Sequence, residues 1–313
     1  MKNEQILLSV SNLTKNFGGI RAVDSFSFEV REGSVTGIIG PNGAGKTTVF
    51  NLVTGLYTPT SGSILFRGDE IGGNRPDAIV RKGIARTFQN IRLFNRRTCL
   101  ENVLTPLLQR EKCSFAGALL GIPSVRRLER ELHDKARGLL ADLGLEKYAL
   151  FQASNLPYGL QRKLEIARAL ATEPSLLLLD EPAAGMNPEE TRNLANLIAE
   201  VREKFGVTIL LIEHHMDLVM NICSPIVVMN FGGLLATGTP DEVRADPKVV
   251  AAYLGTSRRP TNAATEESGK ESCRSFGAHV PGATSRRPTN AATEGEGADA
   301  TGVKGENNER FGN

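Results

Sequence analysis

The sequence predicts an α/β fold, with a parallel β-sheet covered by helices and a glycine-rich loop at the end of one strand. Three observations predict it. Short strand-like apolar runs alternate with segments whose leucines recur at helical spacing. Two of the runs, Leu176–Leu179 and Val207–Ile212, are apolar almost throughout, as in strands buried on both faces. A glycine-rich segment, Gly40 to Thr48, follows one strand-like run and opens a helical one.

The elements follow in order. Leu7–Leu13, Phe26–Val30 and Val35–Ile39 are the first strands, and Thr47–Val53 is helical. Ile64–Phe66 is a strand entered through a Pro-Thr-Ser-Gly turn. Arg126–Leu143 carries Leu128, Leu132, Leu139 and Leu143 among charges, the pattern of an amphipathic helix. Leu160, Leu164, Ala167 and Leu170 repeat that spacing ahead of the two buried strands, as do Leu194, Leu197 and Val201 between them.

Composition bounds the function. The chain has 313 residues, 40% apolar and 23% charged, with 37 Lys+Arg against 35 Asp+Glu and a net charge of +2. That is globular, and it supplies no basic field that would make nucleic acid the main ligand. Cys99, Cys113, Cys223 and Cys273 are too scattered for a CxxC metal site or a disulfide framework, which favours a reducing cytosol. No apolar run approaches the ~20 residues that span a bilayer; Phe115–Ile122 is among the longest. Beyond Gly255 the composition changes. Residues 256–313 contain no Leu, Ile, Met, Trp or Tyr, and carry 8 basic and 8 acidic residues. The expectation is a folded domain over 1–255 and a disordered tail over 256–313. The tail repeats TSRRPTNAATE, at Thr256–Glu266 and Thr284–Glu294; two copies are too few for a solenoid, and a local duplication is favoured over a tandem docking motif built on Arg258-Arg259 and Arg286-Arg287.

The chemistry centres on Gly40-Pro41-Asn42-Gly43-Ala44-Gly45-Lys46-Thr47-Thr48, which fits Gly-x-x-x-x-Gly-Lys-Ser/Thr in its strand–loop–helix context. The glycines let backbone N–H groups turn inward on phosphate oxygens, and the helix aims its positive end there. Lys46 is placed to reach the β- and γ-phosphates, and the Thr47 hydroxyl to ligate Mg²⁺. The second half is Leu176-Leu177-Leu178-Leu179-Asp180-Glu181-Pro182, a buried strand that delivers two acids at its C-terminal end. Asp180 suits the Mg²⁺ shell, and Glu181 suits the base that deprotonates an attacking water.

With Asn155-Leu156-Pro157-Tyr158-Gly159-Leu160-Gln161 just ahead of the acidic strand, these motifs resemble the nucleotide-binding subunit of an ATP-binding cassette (ABC) transporter, over about residues 5–255. The resemblance implies a P-loop NTPase fold with a helical subdomain at about 90–170, and ATP and Mg²⁺ as cofactors. Phe17 matches the aromatic that stacks on adenine. Gln89, in Arg86-Thr87-Phe88-Gln89, matches the Q-loop glutamine, which senses Mg²⁺ and couples to membrane subunits. His214 matches the switch histidine at the γ-phosphate, with His215 a solvated neighbour. Ala184-Gly185-Met186-Asn187 matches the D-loop, with Asn187 where Asp is usual. The stretches Arg86–Phe94, Gln161–Arg168 and Asp180–Pro188 and the ending Ala252-Tyr253-Leu254-Gly255 resemble the ATPases of bacterial branched-chain amino acid importers. The lipopolysaccharide-export ATPase is similar too; the insert from Arg110 to Arg127 favours the importer.

The implied function is an ATPase at the cytoplasmic face of the inner membrane. Its partners would be a second ATPase subunit in a heterodimer, two permease subunits and, indirectly, an extracytoplasmic amino-acid-binding protein. A soluble ABC protein of translation or repair is the rival from another class. One departure stands out. The family signature LSGGQ, which completes the partner's ATP site, reads Leu156-Pro157-Tyr158-Gly159-Leu160, and Pro157 has neither a hydroxyl nor an N–H. The site it closes is expected to hydrolyse slowly.

Overall fold

A computed structural model describes residues 5–110 and 123–254. The Phe115–Ile122 run, most of the Arg110–Arg127 insert and the repeat-bearing tail lie outside the described residues.

Among the described residues ten strands form two sheets. The larger has the order β10-β9-β3-β8-β7-β6. It comprises β3 (Val35–Ile39), β6 (Ile84–Arg86), β7 (Leu176–Asp180), β8 (Thr208–Ile212), β9 (Ile226–Asn230) and β10 (Gly233–Gly238). All neighbours in it are parallel except β9 and β10, a hairpin closed by Phe231 and Gly232 at positive φ. The smaller sheet, β2-β1-β4-β5, is antiparallel throughout: β1 (Ile6–Phe17), β2 (Ile20–Arg31), β4 (Ser61–Phe66) and β5 (Asp69–Glu70). The sequence leads to the parallel sheet and to three of the smaller sheet's strands, but not to their separation. The cause lies at Gly18-Gly19: Phe17 pairs with Ile20 across that turn, so β1 and β2 fold back on each other. The alternation of buried and exposed residues along β2 then suits a sheet packed on one face only.

The larger sheet has two apolar faces. Along β7, Leu177 and Leu179 join the core beneath the helices, while Leu176 and Leu178 join the core shared with the antiparallel sheet. Ile209 and Leu211 against Leu210 and Ile212 do the same along β8. This is why both segments read as unbroken apolar runs.

The helices are α1 (Lys46–Val53), α2 (Pro76–Arg81), α3 (Cys99–Arg110), α4 (Pro123–Asp142), α5 (Tyr158–Leu170), α6 (Pro188–Phe205), α7 (Met216–Ile222), α8 (Pro240–Ala245) and α9 (Pro247–Tyr253). Residues 90–170 carry α3, α4, α5 and two 3₁₀ turns, with no named strand among the described residues. The unusual D-loop residue Asn187 has a local role: its side chain accepts the Glu189 and Glu190 N–H groups as the N-cap of α6, and Glu190 returns the bond to the Asn187 N–H. Such a cap is worth about 0.5–2 kcal/mol over alanine. No described helix is long and apolar enough to cross a membrane.

Candidate functional site

Four loops leave the C-terminal ends of the adjacent parallel strands β3, β8, β7 and β6, the edge where open parallel sheets bind ligands. After β3 comes the Gly40–Lys46 loop; after β7, Glu181; after β8, Glu213, His214 and His215; after β6, Gln89.

The loop after β3 is a cradle that only glycine permits. A Cβ on Gly40 would lie 2.0 Å from the Met229 carbonyl oxygen, and one on Gly45 would lie 2.4 Å from that of Ala22. Gly45, at φ 107°, also starts α1 in a conformation that L side chains rarely adopt. The loop bounds a cleft of about 400 Å³ with Ile20, Arg21, Ala22, Phe231 and Glu181. Phe17 is not among its lining residues; it is 40% exposed and packs edge-on against Tyr57, 5.1 Å away. Ile20 and Phe231 are the exposed apolar groups that do line the cleft. Backbone N–H groups, a helix start and a lysine together fit a nucleotide's phosphates.

Lys46 is buried, and its ammonium donates to the carbonyls of Gly40 (2.7 Å) and Pro41 (3.0 Å). Burial lowers its pKa, against the opposing pull of Glu181 and Asp180. Thr47 is exposed and Thr48 half-buried, both in the first turn of α1 and on the cleft wall. At the other end of the loop, burial pushes the Tyr253 phenol up to about 12, a shift opposed by a hydrogen bond with the Gly40 backbone. Tyr253 thus lies beside Gly40, where the loop starts.

Asp180 ends β7, buried, with its Oδ2 held by Arg86 Nη2 at 2.7 Å. Arg86 lies at the end of β6; its Nη1 donates to Asn51 (2.7 Å) and Thr54 (3.2 Å) of the α1 region. Glu181 adopts a left-handed backbone, φ 44°, which turns the chain off the strand end. Its Oε2 accepts from Gln89 Nε2 at 2.7 Å and lies 3.8 Å from His214 Nδ1. Gln89 and His214 therefore converge on the Glu181 carboxylate.

Sequence reasoning missed the residues that hold this arrangement. Glu213 is fully buried and accepts four N–H groups: Ala183 N at 2.7 Å, His214 N at 2.9 Å, His215 N at 3.2 Å and His215 Nδ1 at 3.0 Å. His215 is accordingly more than a solvated neighbour: its ring is anchored to that carboxylate and lies 4.2 Å from the His214 ring. Glu213, His214 and His215 bring ligand atoms within 4.8 Å of one another. The Glu213 oxygens are already used by backbone and ring donors, so the group reads as an organiser of the two loops rather than a metal centre.

The signature segment caps α5. Pro157 is the N-cap (φ −54°, ψ 150°), so the helix starts at Tyr158 and includes Gly159 rather than starting after it. Leu156 is buried and packs into the helical core, while Gly159 and Leu160 lie in the first turn, beside a groove toward α6. The Tyr158 hydroxyl donates to the Ala184 carbonyl at 3.0 Å and accepts from Arg162 Nη2 at 3.0 Å.

Comparison with known proteins agrees with this geometry. The sequence profile described as ABC transporter matches residues 23–184, and that described as branched-chain amino acid ATP-binding cassette transporter matches residues 234–258. The high-affinity branched-chain amino acid transport ATP-binding protein LivG of Salmonella typhimurium is 51% identical over 251 residues, covering 80% of this chain and 98% of the relative. BraF of Pseudomonas aeruginosa, described in the same words, is 50% identical over 249 residues, covering 80% and 98%. A crystal structure of the ADP conformation of an ATP-binding cassette from an ABC transporter is 35% identical, with TM-score 0.70, covering 80% of this chain and 99% of that one. A nucleotide-free cassette is 34% identical, with TM-score 0.69 and the same coverage. The chain belongs to the ABC transporter family of ATP-hydrolysing, nucleotide-binding subunits.

Proposed function

We propose that the chain is the ATPase subunit that powers membrane import of branched-chain amino acids. The observation that carries the ATPase part is the convergence of Gln89 and His214 on the Glu181 carboxylate, at the mouth of a phosphate cradle. Kinship to LivG and BraF over nearly their whole length supports the solute class.

In this reading the Gly40–Thr48 loop wraps the phosphates, and Lys46 leaves its two carbonyl partners for the β- and γ-phosphate oxygens. Glu181 takes a proton from the attacking water, while Gln89 and His214 hold that water and the γ-phosphate in line. Thr47, Gln89 and Asp180 are the groups suited to a Mg²⁺ ion, which would neutralise charge on the phosphates. Phe17 and the exposed Ile20 and Phe231 offer surfaces for the base. Residues 156–160 face the nucleotide of a second ATPase subunit. The exposed Phe94, and the exposed Leu150 and Phe151 next to Cys99, suit a permease helix. The division into a cassette over 1–255, a helical subdomain near 90–170 and a separate tail belongs to the same reading, as does a place at the cytoplasmic face of the inner membrane.

The test is leucine uptake into proteoliposomes that hold the chain with its co-purified membrane and ATPase partners and the cognate binding protein. ATP inside should drive uptake of labelled leucine. Glu181→Gln should bind ATP yet slow hydrolysis about 10²–10⁴-fold and stop uptake. ATP-driven export, or hydrolysis without any solute movement, would refute the import assignment.

A further inference from the structure

We propose that the Tyr158 hydroxyl is a positioning group for hydrolysis, tying the signature helix to the D-loop and, through Arg162, to the Gln89–Glu181 pair of the chain's own nucleotide site. The inference rests on the reading of Glu181 as the base.

The argument starts with Arg162, which is fully buried one helical turn after Tyr158 on α5. Its guanidinium donates four hydrogen bonds. Nη1 reaches the Phe88 carbonyl at 2.7 Å and Glu165 Oε2 at 2.8 Å; Nη2 reaches the Gln89 carbonyl at 2.9 Å and the Tyr158 hydroxyl at 3.0 Å. Glu165, also buried, accepts from the N–H groups of Phe88 (3.4 Å) and Arg92 (3.2 Å) through its other oxygen. The ion pair thus grips the Q-loop backbone from both sides. A buried guanidinium can stay charged only with such partners, so its geometry is tightly constrained.

Tyr158 extends the grip to a second loop. With the Arg162 guanidinium donating to its oxygen, the hydroxyl proton is directed at the Ala184 carbonyl. Ala184 N in turn donates to the Glu181 carbonyl at 3.2 Å. Gln89, whose carbonyl Arg162 holds, donates its side-chain amide to Glu181 Oε2. The bonds therefore close a ring: Glu181, Gln89, Arg162, Tyr158, Ala184 and back to Glu181. Within the ring the only side-chain link between α5 and the D-loop is the Tyr158 hydroxyl. A shift of α5, which carries the signature segment, is transmitted by this oxygen to the loop that starts at the base and by Arg162 to the glutamine that orients it. Tyr158 is 43% exposed, so the latch sits at the surface where a partner bound at residues 156–160 would press on it.

Tyr158→Phe isolates the hydroxyl, because the ring and its place over Arg162 remain. ATP hydrolysis is measured in the complex with the partner and membrane subunits, in a double-mutant cycle with Gln89→Ala, alongside the melting temperature of each variant. The expected result is a kcat about three- to tenfold lower with KM for ATP changed less than about twofold, and a Tyr158→Phe effect below about twofold once Gln89 is gone. An unchanged kcat, a change confined to KM, or effects of the two substitutions that simply multiply would each overturn the inference; the last is what a merely structural hydroxyl gives, with a lowered melting temperature. If Gln89→Ala alone keeps parental turnover, the base-positioning reading fails as well. Parental turnover in Tyr158→Phe with a slow Gln89→Ala sinks only the role of the hydroxyl. Because the cycle reads ATP turnover, the identity of the solute does not enter.

Discussion

Replacing Arg86 by alanine separates what holds the site from what reacts in it. Arg86 and Asp180 form a 2.7 Å ion pair with side chains only 6% and 4% exposed. The guanidinium also bonds Asn51 and Thr54 and lies over the Phe50 and Phe88 rings, at 5.5 Å and 5.0 Å. Arg86→Ala leaves Asp180 buried without its cation, a change that typically costs about 3–5 kcal/mol. For a folded unit of this size that corresponds to a melting temperature lower by roughly 6–20 °C. The cost comes from the stranded charge rather than from a large net gain in making the pair. The double substitution Arg86→Met with Asp180→Leu should therefore recover most of the lost stability while abolishing ATP hydrolysis, since it also removes the acid suited to Mg²⁺. Calorimetry in nucleotide-free buffer at pH 7 and an ATPase assay check both halves. A melting temperature for Arg86→Ala within about 2 °C of the parent would refute the reasoning, because it would mean that Asp180 is solvated or re-paired at little cost.

Lys46→Ala removes the side-chain cation at the loop, and a titration with Mg-ATP should show affinity weaker by at least about tenfold, the worth of a charged hydrogen bond. Pro157→Ser should raise ATPase activity of the assembled complex several-fold, because a hydroxyl returns to the signature position at a backbone (φ −54°) that serine accepts. Equal turnover and equal nucleotide trapping at both sites would show the hydroxyl to be irrelevant there. Burial pushes the Cys223 thiol up to about 12 and the Cys99 thiol up to about 11, so neither should react with iodoacetamide at pH 8 in the folded chain, while both should in urea. Because the folded-state values lie above the ordinary 9.0, the unfolded chain loses these protons first, and stability should fall as pH rises from about 9 towards 12, as read by urea unfolding.

The parts of the site written in local pattern were legible in the sequence. Gly40 and Gly45 stand where a Cβ would strike a carbonyl, and that demand leaves glycines at fixed spacing. Leu176 to Leu179 feed alternate faces of one sheet, and an apolar run ending in acids records it. Strands β6 and β5, three and two residues long, are too short to carry any period, which is why they were not foreseen. The hairpin β9–β10 was missed for another reason. β9 is as apolar as β8, yet β10 is half-exposed and mixed, so only the first of the pair resembles a strand.

What stayed invisible is the set of charges that fix the loops. Arg86 meets Asp180, 94 residues away; Arg162 meets the backbone of Phe88 and Gln89, 74 and 73 residues away; Glu213 meets Ala183, 30 residues away. In a linear reading each is an ordinary polar residue, and its default place is the surface. Only the fold shows that all three are buried or nearly so, each tying together segments distant in the chain. The division follows from the physics. A phosphate cradle needs backbone curvature, which residue type dictates locally. A carboxylate met by a glutamine and a histidine needs neighbouring loops held together, and the bonds that do this link segments that are close in the fold but distant in the chain. Glu181 is the meeting point: its position was readable from the acids that end β7, whereas its alignment depends on Gln89, and through Gln89 on an arginine that no local motif singles out.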